Sequence, residues 1–208
     1  MDIQYYGANC VTLGTKHARV VIDDNLVELG TKTVAKAGDI ALFTNAHSAP
    51  THSPKIVIDE PGEYEVSGVS IYGIAARAHM DEEGARTATM YKLVVEDLRI
   101  LVTGHIYPEL SDIQLETIGM IDVMIVPVGG NGYTLDPIGA LKLIKKVEPK
   151  LIIPTHYDAK GLNFPVPQQP LEEAIKIFAM EPKEAVAKLK LKAADLADTT
   201  QLAILEQS

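Results

Sequence analysis

The chain has 208 residues, 47% of them hydrophobic, and 28 acidic against 19 basic side chains give it a formal net charge of −9. That length supports one sizeable core, and the acidic balance repels phosphate backbones, so nucleic acid is not an expected partner. No apolar run is long enough to cross a bilayer and no signal peptide is visible, so a membrane partner is not expected and the expected setting is cytoplasmic.

In chain order the first half reads as strand after strand. The segments 11–13, 19–23, 40–44, 55–59, 68–76, 90–96 and 98–104 are short, rich in β-branched residues and separated by turn-forming Gly, Asp and Pro. Cys10, the only cysteine, forms no internal disulfide and no thiolate cage; a buried small apolar role is expected for it rather than that of a nucleophile. The second half changes character. Leu110, Ile113, Leu115 and Ile118 recur at helical spacing behind Ser111, a predicted N-cap. The run 121–130 is continuously apolar, as in a strand covered on both faces. A helix is predicted over 136–149, with Asp136 as cap and Pro137 in its first turn. A second buried strand follows at 150–158, then a proline-rich loop over 158–170, a helix over 170–180 and a last strand over 200–206. No repeat and no long linker divides the chain, so a single domain over 1–208 is expected. Strands followed by late helices suggest packed sheets with helices on their outer faces.

Six histidines carry the candidate chemistry. His17 lies in a turn and reads as solvated. His47, His79, His105 and His156 each follow an apolar strand, and strand ends are where sheets place functional loops. Neutral imidazole is a common zinc ligand. For any one of the four an ordinary loop histidine is the simpler reading; four in equivalent positions point to one edge of the core. No G-x-S-x-G elbow and no Walker-type loop offers other chemistry.

The phrases "PGEYEVSGVSIYGI", "DVMIVPVGG" with "YTLD", and "EPKLIIPTHY" resemble the metallo-β-lactamase fold, and within it the bacterial branch of small metal-dependent hydrolases related to ascorbate-phosphate lactonases. The resemblance runs from "YYGANC" to "QLAILE". It implies an α/β fold, a four-layer αββα sandwich with a metal site at one edge of the two sheets. It also implies a T-H-x-H-x-D-H motif after a strand. Laid on that motif, Thr44 matches and His47 keeps the second histidine, but Asn45, Ala49 and Pro50 replace the first histidine, the aspartate and the third histidine. His79 and His156 fall on later ligand positions, and His105 replaces the aspartate that bridges the two metals in the family.

Two divalent ions roughly 3.5–4 Å apart repel, and a bridging carboxylate and hydroxide hold them together. Both family carboxylates are gone here, so a two-metal centre is not expected. Three readings follow from the resemblance. One is a relative with a dismantled metal centre, acting as a non-hydrolytic binding or scaffold protein for a small molecule or a protein. Another is a one-metal hydrolase of small esters, lactones or phosphoesters, with one zinc or other divalent transition metal on His47, His79 and His105, leaving room for water; with His156 added, the site is closed and structural. The last is a structural or sensing metal site. His52 and Asp158 read as solvated loop residues, Asp81, Glu82 and Glu83 as a solvated acidic turn, and Tyr157 as a packing residue with its hydroxyl at the rim.

Overall fold

The computed structural model describes residues 1–50 and 52–208. Its strands in chain order are β1 (Asp2–Gly7), β2 (Cys10–Gly14), β3 (Arg19–Ile22), β4 (Ile40–Leu42), β5 (Ile56–Ile58), β6 (Gly62–Val66), β7 (Val69–Ala76), β8 (Ala88–Val95) and β9 (Leu98–Val102). After them come helix α1 (Asp112–Ile118), β10 (Val123–Pro127), α2 (Pro137–Val147), β11 (Leu151–Thr155), α3 (Leu171–Phe178), β12 (Leu189–Lys190) and β13 (Gln201–Leu202). One sheet has the order β12-β1-β2-β3-β4-β5, the other β13-β11-β10-β9-β8-β7-β6.

Side-chain alternation decides which faces meet. Ile3 and Tyr5 of β1, Leu13 of β2, Ile22 of β3 and Leu42 of β4 share one buried cluster with Ile71, Tyr91, Leu93, Ile100, Ile125 and Ile153 of the second sheet. The alternate residues of the second sheet, Met90, Leu101, Met124 and Ile152, join a second cluster with Ala140, Leu143 and Ile144 of α2 and Ala174 and Phe178 of α3. The apolar runs at β10 and β11 are therefore buried on both faces, as strands between a sheet and a helix layer must be.

The sandwich is the expected one, with an asymmetry in its outer layers. All three α-helices belong to the second sheet. The outer face of the first is covered through a small cluster of Cys10, Val21, Leu26 and Ala35, where Leu26 belongs to a 3-10 turn, Leu26–Leu29. Cys10 is buried there, as expected. The caps also follow the sequence: Ser111 closes a capping box with Gln114, and Asp136 accepts from the Gly139 N–H with Pro137 in the first turn. Ile113 departs from it. Although at helical spacing, it is 76% exposed, because the seven-residue α1 buries only Ile118 fully.

A polar link through Tyr91 crosses the sandwich. The Tyr91 ring is buried between the sheets, and its hydroxyl lies 3.1 Å from both the Phe43 and the Ile58 carbonyl oxygens, at the ends of β4 and β5.

Candidate functional site

The ends of β3, β4, β9 and β11 open on a cavity of about 300 Å³ lined by Asn9, Asp23, Glu28, Asn45, Thr87, His105, Tyr133, His156 and Phe164, among others. Its floor is built by close backbone approach. Gly104 has φ +61°, and a Cβ there would collide with the Thr44 side chain. Only glycine lets the end of β9 sit against the loop after β4. Thr44 is anchored in turn by Asp23, whose two carboxylate oxygens accept from the Thr44 N–H and hydroxyl, each at 2.7 Å. Burial raises the Asp23 carboxyl to about 6, against the lowering effect of the Thr44 hydrogen bonds.

His156 follows β11 in the left-handed region (φ +52°), and its N–H donates to the Ala8 carbonyl at 2.7 Å. Its ring is buried, with Nδ1 3.0 Å from Gln168 Oε1. The Gln168 Nε2 donates to the Val166 carbonyl at 2.8 Å, which fixes the amide orientation. His156 must then donate through Nδ1, leaving the Nε2 lone pair free. Burial holds its pKa down at about 4, so the ring is neutral near pH 7.

His105 stands edge-on to His156, with ring centroids 4.5 Å apart, and edge-on to Tyr133 at 5.2 Å. Burial first, then the neighbouring His156 and His79, push its pKa well below the usual histidine value. The His79 N–H donates to the His105 carbonyl at 2.7 Å, and burial lowers the pKa of His79 too. The Nδ1 atoms of His79 and His105 are buried without a hydrogen-bond partner among the described residues. Such an orphaned group costs about 1–3 kcal/mol.

His47 goes elsewhere. Its ring stacks on Phe43 at 3.7 Å and 11°, its Nδ1 lies 2.7 Å from the Ser48 carbonyl and its Nε2 3.1 Å from Asp59 Oδ2. The rings that the fold brings into contact are those of His105 and His156, and His79 is tied to His105 through its backbone N–H. The set His47, His79 and His105 is not brought together. His17 and His52 are exposed. Among the described residues, no three His, Cys, Asp or Glu side chains are arranged to hold a metal ion.

Other residues were placed as the sequence suggested or were missed by it. Tyr157 packs between the two cores and donates to the Leu205 carbonyl. Asp81 does more than solvate a turn: it accepts from the Ala78 and Thr87 N–H groups and from the Thr87 hydroxyl, shaping the loop that carries His79. Asn9, Asp23, Tyr133, Phe164 and Gln168 reach the site without having been singled out. The chain signal available for Asp23 was its place at the end of the run 19–23, the same strand-end position as the histidines.

The sequence profile of the beta-lactamase superfamily domain matches residues 2–156. The chain belongs to this superfamily. It is 26% identical to a UPF0173 metal-dependent hydrolase of Salinibacter ruber, over 86% of this chain and 90% of that one. It is 28% identical to a UPF0173 metal-dependent hydrolase of Thermococcus onnurineus over 64% of this chain and 60% of the relative. A crystal structure from Thermotoga maritima, classed as a Zn-dependent hydrolase of the metallo-β-lactamase superfamily, superposes with a TM-score of 0.76 at 26% identity, covering 99% of both chains.

The relatives' names imply a metal, and the donor set here can be tested against it. The superfamily's two-metal centre does not fit these residues. Asn45, Ala49 and Pro50 offer no ligand of the required kind, the bridging carboxylate is the neutral His105, and His47 is held by Phe43 and Asp59. Neutral imidazoles cannot offset the charge of two divalent ions.

Proposed function

We propose that this domain uses the edge of the metallo-β-lactamase sandwich as a metal-free pocket, which binds a small molecule and does not hydrolyse it. The observation that carries this reading is His47, the one histidine left in the motif, which is withdrawn onto Phe43 and Asp59. With it go the side chains that would orient an attacking water, since Ala49 stands at the aspartate position. What remains is a cavity walled by the rings of His105, Tyr133, His156 and Phe164, the amides of Asn9 and Asn45 and the acids Asp23 and Glu28. A cytoplasmic setting without nucleic-acid partners belongs to the same reading. It is supported by the net charge of −9 and the free, buried Cys10; among the described residues no helix is long and apolar enough to cross a membrane.

Elemental analysis by mass spectrometry tests it. Freshly purified, untagged protein is incubated with zinc or manganese and desalted. Retention far below one metal per chain is expected; stoichiometric metal overturns the reading.

A second reading has its own support. The Nδ1 atoms of His79 and His105 are buried without a partner among the described residues, and imidazole nitrogens are donors that one divalent transition metal such as zinc would satisfy, although as they stand these side chains and His156 are not arranged around a common point. Its signature is one metal per chain, lost in the His105→Ala variant and kept in His47→Ala.

A further inference from the structure

The cavity carries charge of one sign. Among the described residues that line it there is no Lys and no Arg, while the buried Asp23 and the exposed Glu28 both belong to its wall. The protein as a whole has a net charge of −9. A cleft lined by one sign of charge concentrates its field and gathers counter-ions. An anion that enters meets two carboxylates and no counter-charge, and burying it unpaired is strongly unfavourable. The wall favours a cation.

The two carboxylates also restrict which cation. Both oxygens of Asp23 accept from Thr44, one from its N–H and the other from its hydroxyl. Glu28 Oε1 accepts from the Ser48 N–H and hydroxyl, which leaves its second oxygen without a protein partner among the described residues. A metal ion or a primary ammonium must replace its water with several oxygen contacts, and these acids have few left to give. A quaternary ammonium has no N–H and requires none. It responds to the charge of both acids without displacing the bonds that hold Thr44 and Ser48, and its methyl groups need apolar contact. The rings on the same wall supply that contact. Tyr133 and Phe164 are half-buried and each adjoin His156, with centroids 5.7 Å and 5.0 Å from it. Their planes are inclined to the His156 ring by 33° and 49°, so the three make an angled wall and not a stack. Aromatic rings set at angles around a pocket are the surroundings that hold methylated ammonium groups. The volume of about 300 Å³ lies at the small end of small-molecule sites.

We propose that the cavity binds a small quaternary ammonium compound, through the charge of Asp23 and Glu28 and the rings of Tyr133 and Phe164, and discriminates against uncharged and carboxylate-bearing analogues of similar shape. This rests on the metal-free reading above. The rings supply contact, and the unopposed acids supply the discrimination.

The test is calorimetric titration of the full chain, in a buffer free of organic cations, with choline and with 3,3-dimethylbutan-1-ol, its isostere in which carbon replaces the charged nitrogen. Metal content is measured on the same sample. Choline is expected to bind, with the isostere about tenfold weaker or worse, a difference of about 1.4 kcal/mol. Glycine betaine, which has a carboxylate on the same trimethylammonium group, should also bind about tenfold more weakly than choline. Glu28→Gln is expected to weaken choline about threefold and leave the isostere unchanged. Tyr133→Leu and Phe164→Leu should each weaken choline about tenfold; if either fails to fold, as judged by its melting curve, Glu28→Gln at its exposed position carries the result. Metal-free protein that binds no choline at millimolar concentration, that binds the isostere or betaine as tightly as choline, or whose choline affinity ignores Glu28→Gln overturns this proposal and leaves the metal-free reading standing. Protein that retains stoichiometric metal overturns both.

Discussion

The two walls of the cavity are held in different ways. On one side, His79, His105 and His156 are fixed through the backbone: His79 N–H to the His105 carbonyl, Gly104 against Thr44, His156 N–H to Ala8. On the other, the segment after Thr44 is held by exposed side-chain bonds, His47 to Asp59 and Ser48 to Glu28. Ligand positions have been lost mainly on the second wall. Replacing a residue there disturbs no buried ladder, whereas each histidine of the first wall sits where a strand leaves the core.

Gly104→Ala strikes the junction of the two walls and should cost most. A left-handed conformation and a Cβ driven into Thr44 together predict a loss of about 2–4 kcal/mol, read as a lower urea midpoint at unchanged slope. A normal midpoint would mean that the walls are not locked together there.

Acid should separate the walls by titration. Folded His156 has a pKa of about 4 against 6.5 unfolded, so the unfolded chain binds the extra proton between these values. The His156 contribution is complete above pH 6.5 and is lost as pH falls through 4, about 3 kcal/mol in all. Asp23 works with the opposite sign. Its folded value of about 6 lies above 3.8, so its contribution is complete below 3.8 and is lost as pH rises through 6, again about 3 kcal/mol. Urea midpoints against pH for wild type, His156→Asn and Asp23→Asn should show slopes of opposite sign removed by the two variants.

Gln168→Ala frees the His156 Nδ1–H in a buried site and should cost about 1–2 kcal/mol. Imidazole nitrogen shifts should show His156 losing its single tautomer. His47→Ala should cost least, within about 1 kcal/mol, because it removes one stacked ring and an exposed pair with Asp59. A large loss at His47 would reverse the contrast between the walls.

Most of the scaffold was legible from local pattern. The runs at β8 to β11 are set by residues within each strand, and the caps at Ser111 and Asp136 act over three residues. The strand β1, whose alternating Ile3 and Tyr5 are flanked by polar Asp2 and Gln4, was passed over, as was the half-exposed β6. The strand-end rule located the four histidines but says nothing about where a ring points. For His47 that depends on Asp59, twelve residues away and brought back only by the β4–β5 pairing. Asn9 touches Thr155 across 146 residues, and Gln168 reaches His156 from a proline-rich loop that reads as a connector. Such partners are products of the closed sandwich and leave no periodic trace in the chain.

Tyr91 bears on the loop that carries His47. Its hydroxyl, within reach of the Phe43 and Ile58 carbonyls, terminates β4 and β5 from the opposite sheet, and the Phe43 N–H joins them at 3.0 Å to the Ile58 oxygen. Because β4 and β5 run parallel, these bonds hold the same end of the pair, where the chain leaves each strand. One strand continues into the loop that bears His47, the other into Asp59, the residue that holds the His47 ring. A single hydroxyl from the opposite sheet therefore spaces the two partners of that contact, and Tyr91→Phe would loosen His47 without touching it.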